Sequence, residues 1–199
     1  MNFLAHAYLS FRNPEILVGN MISDFVKGKR KFDFPENIQK GILLHRSIDE
    51  FTDHHPAAKE AASYFRKDYR LYAPAFIDIV FDYFLARDPS VFTDSGELEA
   101  FADQTYRTLD RFTDILPSPF DIMFPHMKNK NWLLNYQHTW GIHNSFKGLV
   151  SRAEYMNDAE PAFQTFIQQN KALADCYNDF FPSLREFATQ QYASLLKND

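Results

Sequence analysis

Phe76-Ile77-Asp78-Ile79-Val80-Phe81-Asp82-Tyr83-Phe84-Leu85 is apolar around nearly the whole circumference of a helix, yet carries two carboxylates four residues apart. At helical pitch the two acids share one face. A helix this apolar belongs in the interior of its fold. A lone carboxylate buried there is costly, and the segment holds no Lys or Arg to neutralise one. The stretch therefore predicts the central helix of an all-α core. It also predicts a task for Asp78 and Asp82: holding a divalent metal, acting as general base, pairing with a distant arginine, or capping a neighbouring helix.

The flanking sequence is helical too. Asn13-Pro14-Glu15 is a start signal, followed by Leu17, Val18, Met21, Ile22 and Phe25 at helical spacing, with Gly28 as a stop. A second helix is expected from about Pro35 to Asp53, with Leu44, Ile48 and Phe51 as its stripe. Others are expected from Pro56, from Pro74, over Glu97 to Leu116, over Asn131 to Val150, and over Pro161 to Leu196 with an interruption at Pro182. No period-2 strand pattern stands out. The expected architecture is all-α, one domain over residues 1–199, with about seven or eight helices.

Composition supports this and narrows the function. The 199 residues include 21 Phe and 10 Tyr, so the core should be built from rings, and only 6 Gly, too few for a turn-dense β fold. A net charge of −5 gives no broad nucleic-acid-binding surface. The single cysteine, Cys176, excludes an internal disulfide and a thiolate zinc site, and suits a reducing cytoplasm. No apolar run is long enough for a membrane span, and Met1 to His6 has no basic leader region. A cytoplasmic protein without a membrane or nucleic-acid partner is expected.

Several polar residues fall where apolar ones would be expected. His45 and Asp49 are one turn apart at the edge of the Leu44/Ile48/Phe51 stripe, where they can share a cation or the acid can orient the ring. Asp24 falls near the buried stripe of Leu17 and Met21. His6 stands in an apolar N-terminal segment, as a core histidine or as a ligand. Imidazole and carboxylate together suit Mn²⁺, Fe²⁺, Zn²⁺ or Mg²⁺.

In this order, Met1-Asn2-Phe3-Leu4-Ala5-His6, Gly19 to Gly28, Gly41-Ile42, His45-Arg46, Ile48-Asp49, Thr52-Asp53 and Asp78 to Leu85 resemble the acyl carrier protein phosphodiesterase family. The resemblance is close over most of the first 90 residues and looser beyond, where Trp132 to Tyr136 carries it. It implies a helical fold distantly similar to the HD phosphohydrolases, although the chain has no His-Asp dipeptide, and Tyr83 stands where relatives can carry His. It implies a divalent-metal phosphodiesterase, Mn²⁺ first with Mg²⁺ or Fe²⁺ as alternatives. The bond cut would join phosphopantetheine to the serine of holo-acyl carrier protein.

Carried over by position, His6, Asp24, His45, Asp49 and Asp78 are the metal-site residues. Catalytic roles are expected for Asp24, Asp49, Asp82 and Arg46, with Asp49 or Asp82 taking a proton from the attacking water and Arg46 steadying the phosphate. Lys27, Lys29, Arg30 and Lys31 would steer the acidic carrier. Two rival readings use the same residues: a phosphohydrolase for a small nucleotide or cyclic phosphodiester, and a non-enzymatic helical module whose buried acids pair with arginines.

Overall fold

Asn13 caps the first long helix with its side chain, accepting from the backbone N–H of Glu15 and Ile16 at 3.2 Å each, and Pro14 fills the first helical position. In the computed structural model, which describes residues 1–197, that helix is α2 (Pro14–Ile22), preceded by a short α1 (Phe3–Tyr8). The chain continues through α3 (Glu36–His54), α4 (Pro56–Ser63), α5 (Arg66–Tyr69), α6 (Ala73–Ala86), α7 (Ser95–Asp110), α8 (Phe120–Asn129), α9 (Trp132–Asn135), α10 (Thr139–Arg152), α11 (Glu160–Gln168) and α12 (Asn170–Lys197). The described residues contain no strand.

The all-α expectation holds, but the helices are more numerous. The described residues form 12, because the N-terminal segment, Phe120–Asn129 and short turns such as Trp132–Asn135 are helices of their own. Conversely, Pro182 does not interrupt α12. It lies on the exposed side, while Phe180, Phe181 and Leu184 anchor the helix around it. The helix bearing Asn20 ends at Ile22, and Ser23–Phe25 and Gly28–Asp33 are 3₁₀ turns.

α6 is the central helix, packed by α1, α4, α10 and α12. Phe76, Val80, Phe81 and Asp82 are fully buried in it. Its neighbours meet it ring to ring: Phe76 lies edge-on to Phe146 of α10 at 5.0 Å, and Phe81 stacks on Phe180 of α12 at 5.0 Å.

α2 and α3 cross at two glycines. A Cβ on Gly19 would lie 2.1 Å from the Ile38 carbonyl oxygen and 2.8 Å from the Gly41 Cα, and one on Gly41 would lie 2.4 Å from the Ile16 carbonyl oxygen. Only hydrogen at both positions allows the two backbones this close. The crossing sets Asn20 of α2 directly against His45 of α3.

Candidate metal centre

α1, α2, the Ser23–Phe25 turn, α3 and α6 each contribute polar side chains to one cluster. Asn20, fully buried, organises it. Its Nδ2 donates to the His6 carbonyl at 2.9 Å and to the Ser10 hydroxyl at 3.1 Å, so its Oδ1 is left to accept. His6 Nδ1 lies 2.8 Å from that Oδ1, and His45 Nδ1 lies 2.7 Å from the Asn20 backbone carbonyl. Both Nδ1 atoms must therefore donate. In its neutral form each ring then presents a bare lone pair at Nε2, the arrangement that histidine ligands adopt when their other nitrogen is tethered to a carbonyl.

Both lone pairs face acceptors. His6 Nε2 lies 3.1 Å from Asp49 Oδ1, and also 3.1 Å from the Met1 carbonyl. His45 Nε2 lies 3.0 Å from Asp49 Oδ2 and 3.1 Å from Asp24 Oδ1. The rings stack at 3.8 Å between centroids. Ligand atoms of His6, His45 and Asp49 all fall within 4.8 Å of one another. Lone pairs aimed at carboxylate oxygens repel unless a cation intervenes, so this donor set fits either protons or a divalent metal.

Asp78 joins through the α-ammonium of Met1, which lies 2.9 Å from Asp78 Oδ1 and 3.3 Å from Asp49 Oδ1. Burial works against this charge, but Asp78 and Asp49 hold its pKa up to about 11. The same ammonium and the two imidazoles hold the Asp49 carboxyl far below the usual carboxylate range, against its burial. Asp24 is lowered chiefly by its hydrogen bond to His45, while burial raises Asp78 despite the ammonium. Burial also drives His6 down to about 4, assisted by its neighbour His45. His45 is buried as well, but its hydrogen bonds to Asp24 and Asp49 lift it to about 9. Beyond the two Nδ1 protons, the metal-free pair therefore takes up a further proton more readily at His45 than at His6.

A pH dependence follows. A histidine whose folded pKa lies above its unfolded value of 6.5 adds stability that is complete below 6.5 and lost as pH rises through about 9. Metal-free protein is expected to lose about 1 kcal/mol of stability between pH 7 and pH 8. His45→Gln should make that loss smaller in thermal melts, leaving the lesser contributions of Asp82 and the Met1 ammonium. A wild-type midpoint that does not move would contradict a shared proton.

The sequence-predicted residues separate into three groups. His6, His45 and Asp49 converge, with Asp24 and Asp78 flanking them through His45 and the Met1 ammonium. Among the described residues, neither acid is held by a guanidinium. Asp24 does not lie on a buried stripe: it sits on the Ser23–Phe25 turn with its side chain 69 % exposed. Asp82 is the clearest departure. It is fully buried and accepts from the backbone N–H of Leu4 at 2.7 Å and of Ala5 at 3.2 Å. Both oxygens cap the N-terminus of α1, so no water can reach it as a general base. Burial pushes its pKa up to about 7 against those two hydrogen bonds.

A solvent-open cleft of about 560 Å³ leads to the group, lined by Asp24, Lys27, His45, Arg46 and Asp49 among others. Arg46 is exposed there, and its Nη2 donates to the Val26 carbonyl at 2.9 Å. Lys29 and Arg30 are exposed on the adjoining Gly28–Asp33 turn, where the Lys31 ammonium lies 5.0 Å over the exposed Phe32 ring. Sequence reasoning assigned no role to Asn20 or to the Met1 ammonium. Asn20 had a visible signal, as an amide inside Ile16-Leu17-Val18-Gly19-Asn20-Met21-Ile22. The ammonium had none.

Comparison with known proteins identifies the family. The family pattern described as acyl carrier protein phosphodiesterase matches residues 1–184. Proteins of that name from Yersinia pestis and Shigella boydii are similar to the chain: the first is 30 % identical over 92 % of this chain and 95 % of its own length, the second 29 % identical over 96 % and 99 %. One from Salmonella paratyphi A is 28 % identical over 96 % of this chain and 99 % of its own. No solved structure matches the chain. The likeness to HD phosphohydrolases stays an implication of the sequence resemblance.

Proposed function

The chain belongs to the acyl carrier protein phosphodiesterase family, and from that premise we propose that it hydrolyses the phosphodiester of holo-acyl carrier protein, releasing 4′-phosphopantetheine and the apo-carrier, in the cytoplasm. The observation that carries a metal-assisted reading is the tethering of both Nδ1 atoms to Asn20, which leaves two Nε2 lone pairs facing one carboxylate.

His6, His45 and Asp49 would hold the divalent ion, with Asp24 and Asp78 beside them. Mn²⁺ is the first choice, and Mg²⁺ or Fe²⁺ the alternatives. Such an ion, when bound, screens the phosphate oxygens and brings the pKa of water toward neutrality. The protein's own residues do the remainder. Asp24, the most exposed acid of the group, replaces Asp82 as the acceptor of the proton from the attacking water, alongside Asp49. Arg46 reaches the phosphate from the cleft wall, its other nitrogens free of the Val26 contact. Asn20 keeps both rings in one tautomer and one orientation throughout.

The test is incubation of purified protein with holo-carrier and Mn²⁺, read by mass spectrometry for loss of the prosthetic arm. Release of 4′-phosphopantetheine that chelation stops is expected. An intact carrier alongside turnover of small phosphodiesters would move the substrate assignment.

Lys27, Lys29, Arg30 and Lys31 would receive the acidic carrier beside the cleft. Reversing the charge of Lys29, Arg30 and Lys31 together is expected to raise KM about tenfold and to weaken its dependence on salt, with kcat unchanged. An unaltered KM would place docking elsewhere.

A further inference from the structure

On another side of α1, Ala7 and Tyr8 line a cavity of about 970 Å³ that contains none of the metal-centre residues. α7 borders it with residues at i, i+3, i+4 spacing from Glu97 through Phe101 to Thr108, a flank that joins the exposed Glu97 and Gln104 to the buried Thr105 and Thr108. Its aromatic wall is made by Tyr8, Phe92 and Phe101, with centroids 5.4 to 6.3 Å apart. Three exposed arginines, Arg12, Arg111 and Arg185, border it from the α1–α2 connection, the end of α7 and α12. Among the described residues none of the three has a carboxylate within ion-pairing distance. The single lining acid, Glu97, already accepts from the Thr93 N–H at 2.8 Å and its hydroxyl at 2.9 Å.

The connection that carries Arg12 is strained. Phe11 and Arg12 have φ of 51° and 58°, the left-handed region, which costs a residue with a Cβ about 1–2 kcal/mol each. That turn places an aromatic ring and a guanidinium against the same cavity. Its volume falls at the upper end of the roughly 300–1,000 Å³ typical of small-molecule sites.

A cavity with an aromatic wall, edged by three guanidiniums against the single carboxylate of Glu97, selects for a ligand with a greasy body and an anionic end. We propose that this cavity binds an amphipathic anion, a single long alkyl chain ending in a carboxylate or phosphate head. The chain lies against Tyr8, Phe92 and Phe101, and the head meets Arg12, Arg111 and Arg185 through charge-assisted hydrogen bonds. This site is independent of the phosphodiesterase reading.

Calorimetric titration of the full chain with palmitate, hexadecyl phosphate and hexadecanol tests it. Saturable one-to-one binding of palmitate or hexadecyl phosphate is expected, with the alcohol at least tenfold weaker, and the tighter of the two anions identifies the head. Arg111→Ala with Arg185→Ala should weaken the anion at least tenfold. Ala100→Trp, which sets an indole into the lining beside Phe101, should weaken binding at least tenfold while the thermal melt stays cooperative. The proposal is overturned if neither anion saturates, if hexadecanol matches them, or if folded Ala100→Trp protein binds as tightly as the parent.

Discussion

Asp49→Ala is expected to lower hydrolysis of holo-acyl carrier protein about 10³-fold or more, and to remove stoichiometric metal, with the helical CD spectrum intact. The size follows from how much converges on this side chain. One oxygen faces His6 Nε2 and the Met1 ammonium, and the other faces His45 Nε2. Losing one preorganised electrostatic contact at a reacting centre typically costs about 10²–10³, and here one truncation takes the partner of two imidazoles at once. Asp24→Ala and Asp78→Ala should each also abolish measurable turnover, but neither touches both rings. Metal content distinguishes them: it should vanish with Asp49 and fall less with the flanking acids. An Asp49→Ala protein that retains both metal and rate would remove the residue from the centre.

The second large effect is expected far from any titratable group. Gly19→Ala should destabilise the protein by about 3 kcal/mol or more, because the new methyl meets backbone atoms of α3, which cannot rotate away as a side chain can. For a chain of this size that is a fall of about 6–12 °C in Tm. Activity should fall alongside it even below the transition, since spreading α2 from α3 draws the Asn20 carbonyl away from His45 Nδ1, now 2.7 Å apart. Gly148→Ala is the matched control. Outside the backbone of its own helix, no atom lies within 4 Å of a Cβ at this position inside α10, so the substitution should stabilise by roughly 0.5–1 kcal/mol through helix preference alone. Equal melting temperatures for Gly19→Ala and the parent would mean that the helices part without cost.

The helical fold could be read from the chain because apolar residues recur at helical spacing through most of it, and the apolar Phe76–Leu85 segment does lie at the centre. What the pattern could not give was segmentation. Phe3–Tyr8 is too short to display a period, and Pro182 carries the same local signal whether a helix ends there or merely loses one hydrogen bond. The site was half legible. His45 and Asp49 reveal themselves by being one turn apart beside an apolar stripe. Asp78 and Asp82 share a helix face and a local context, and nothing in the sequence separates the acid beside the Met1 ammonium from the acid that caps α1. That difference is set by where α1 docks, a contact between residues nearly eighty positions apart. Asn20 went unassigned because its importance lies in what its two carbonyl oxygens touch, one of them a backbone atom that residue type cannot reveal.

The strap from Asp82 to the first turn of α1 gives that carboxylate leverage without chemistry. A six-residue helix has little intrinsic stability, so its bearing on the molecule depends on this anchor, and His6 rides on it. An inert mutant at Asp82 would be a compass knocked off its pivot, with every reacting group still present and one of them aimed the wrong way.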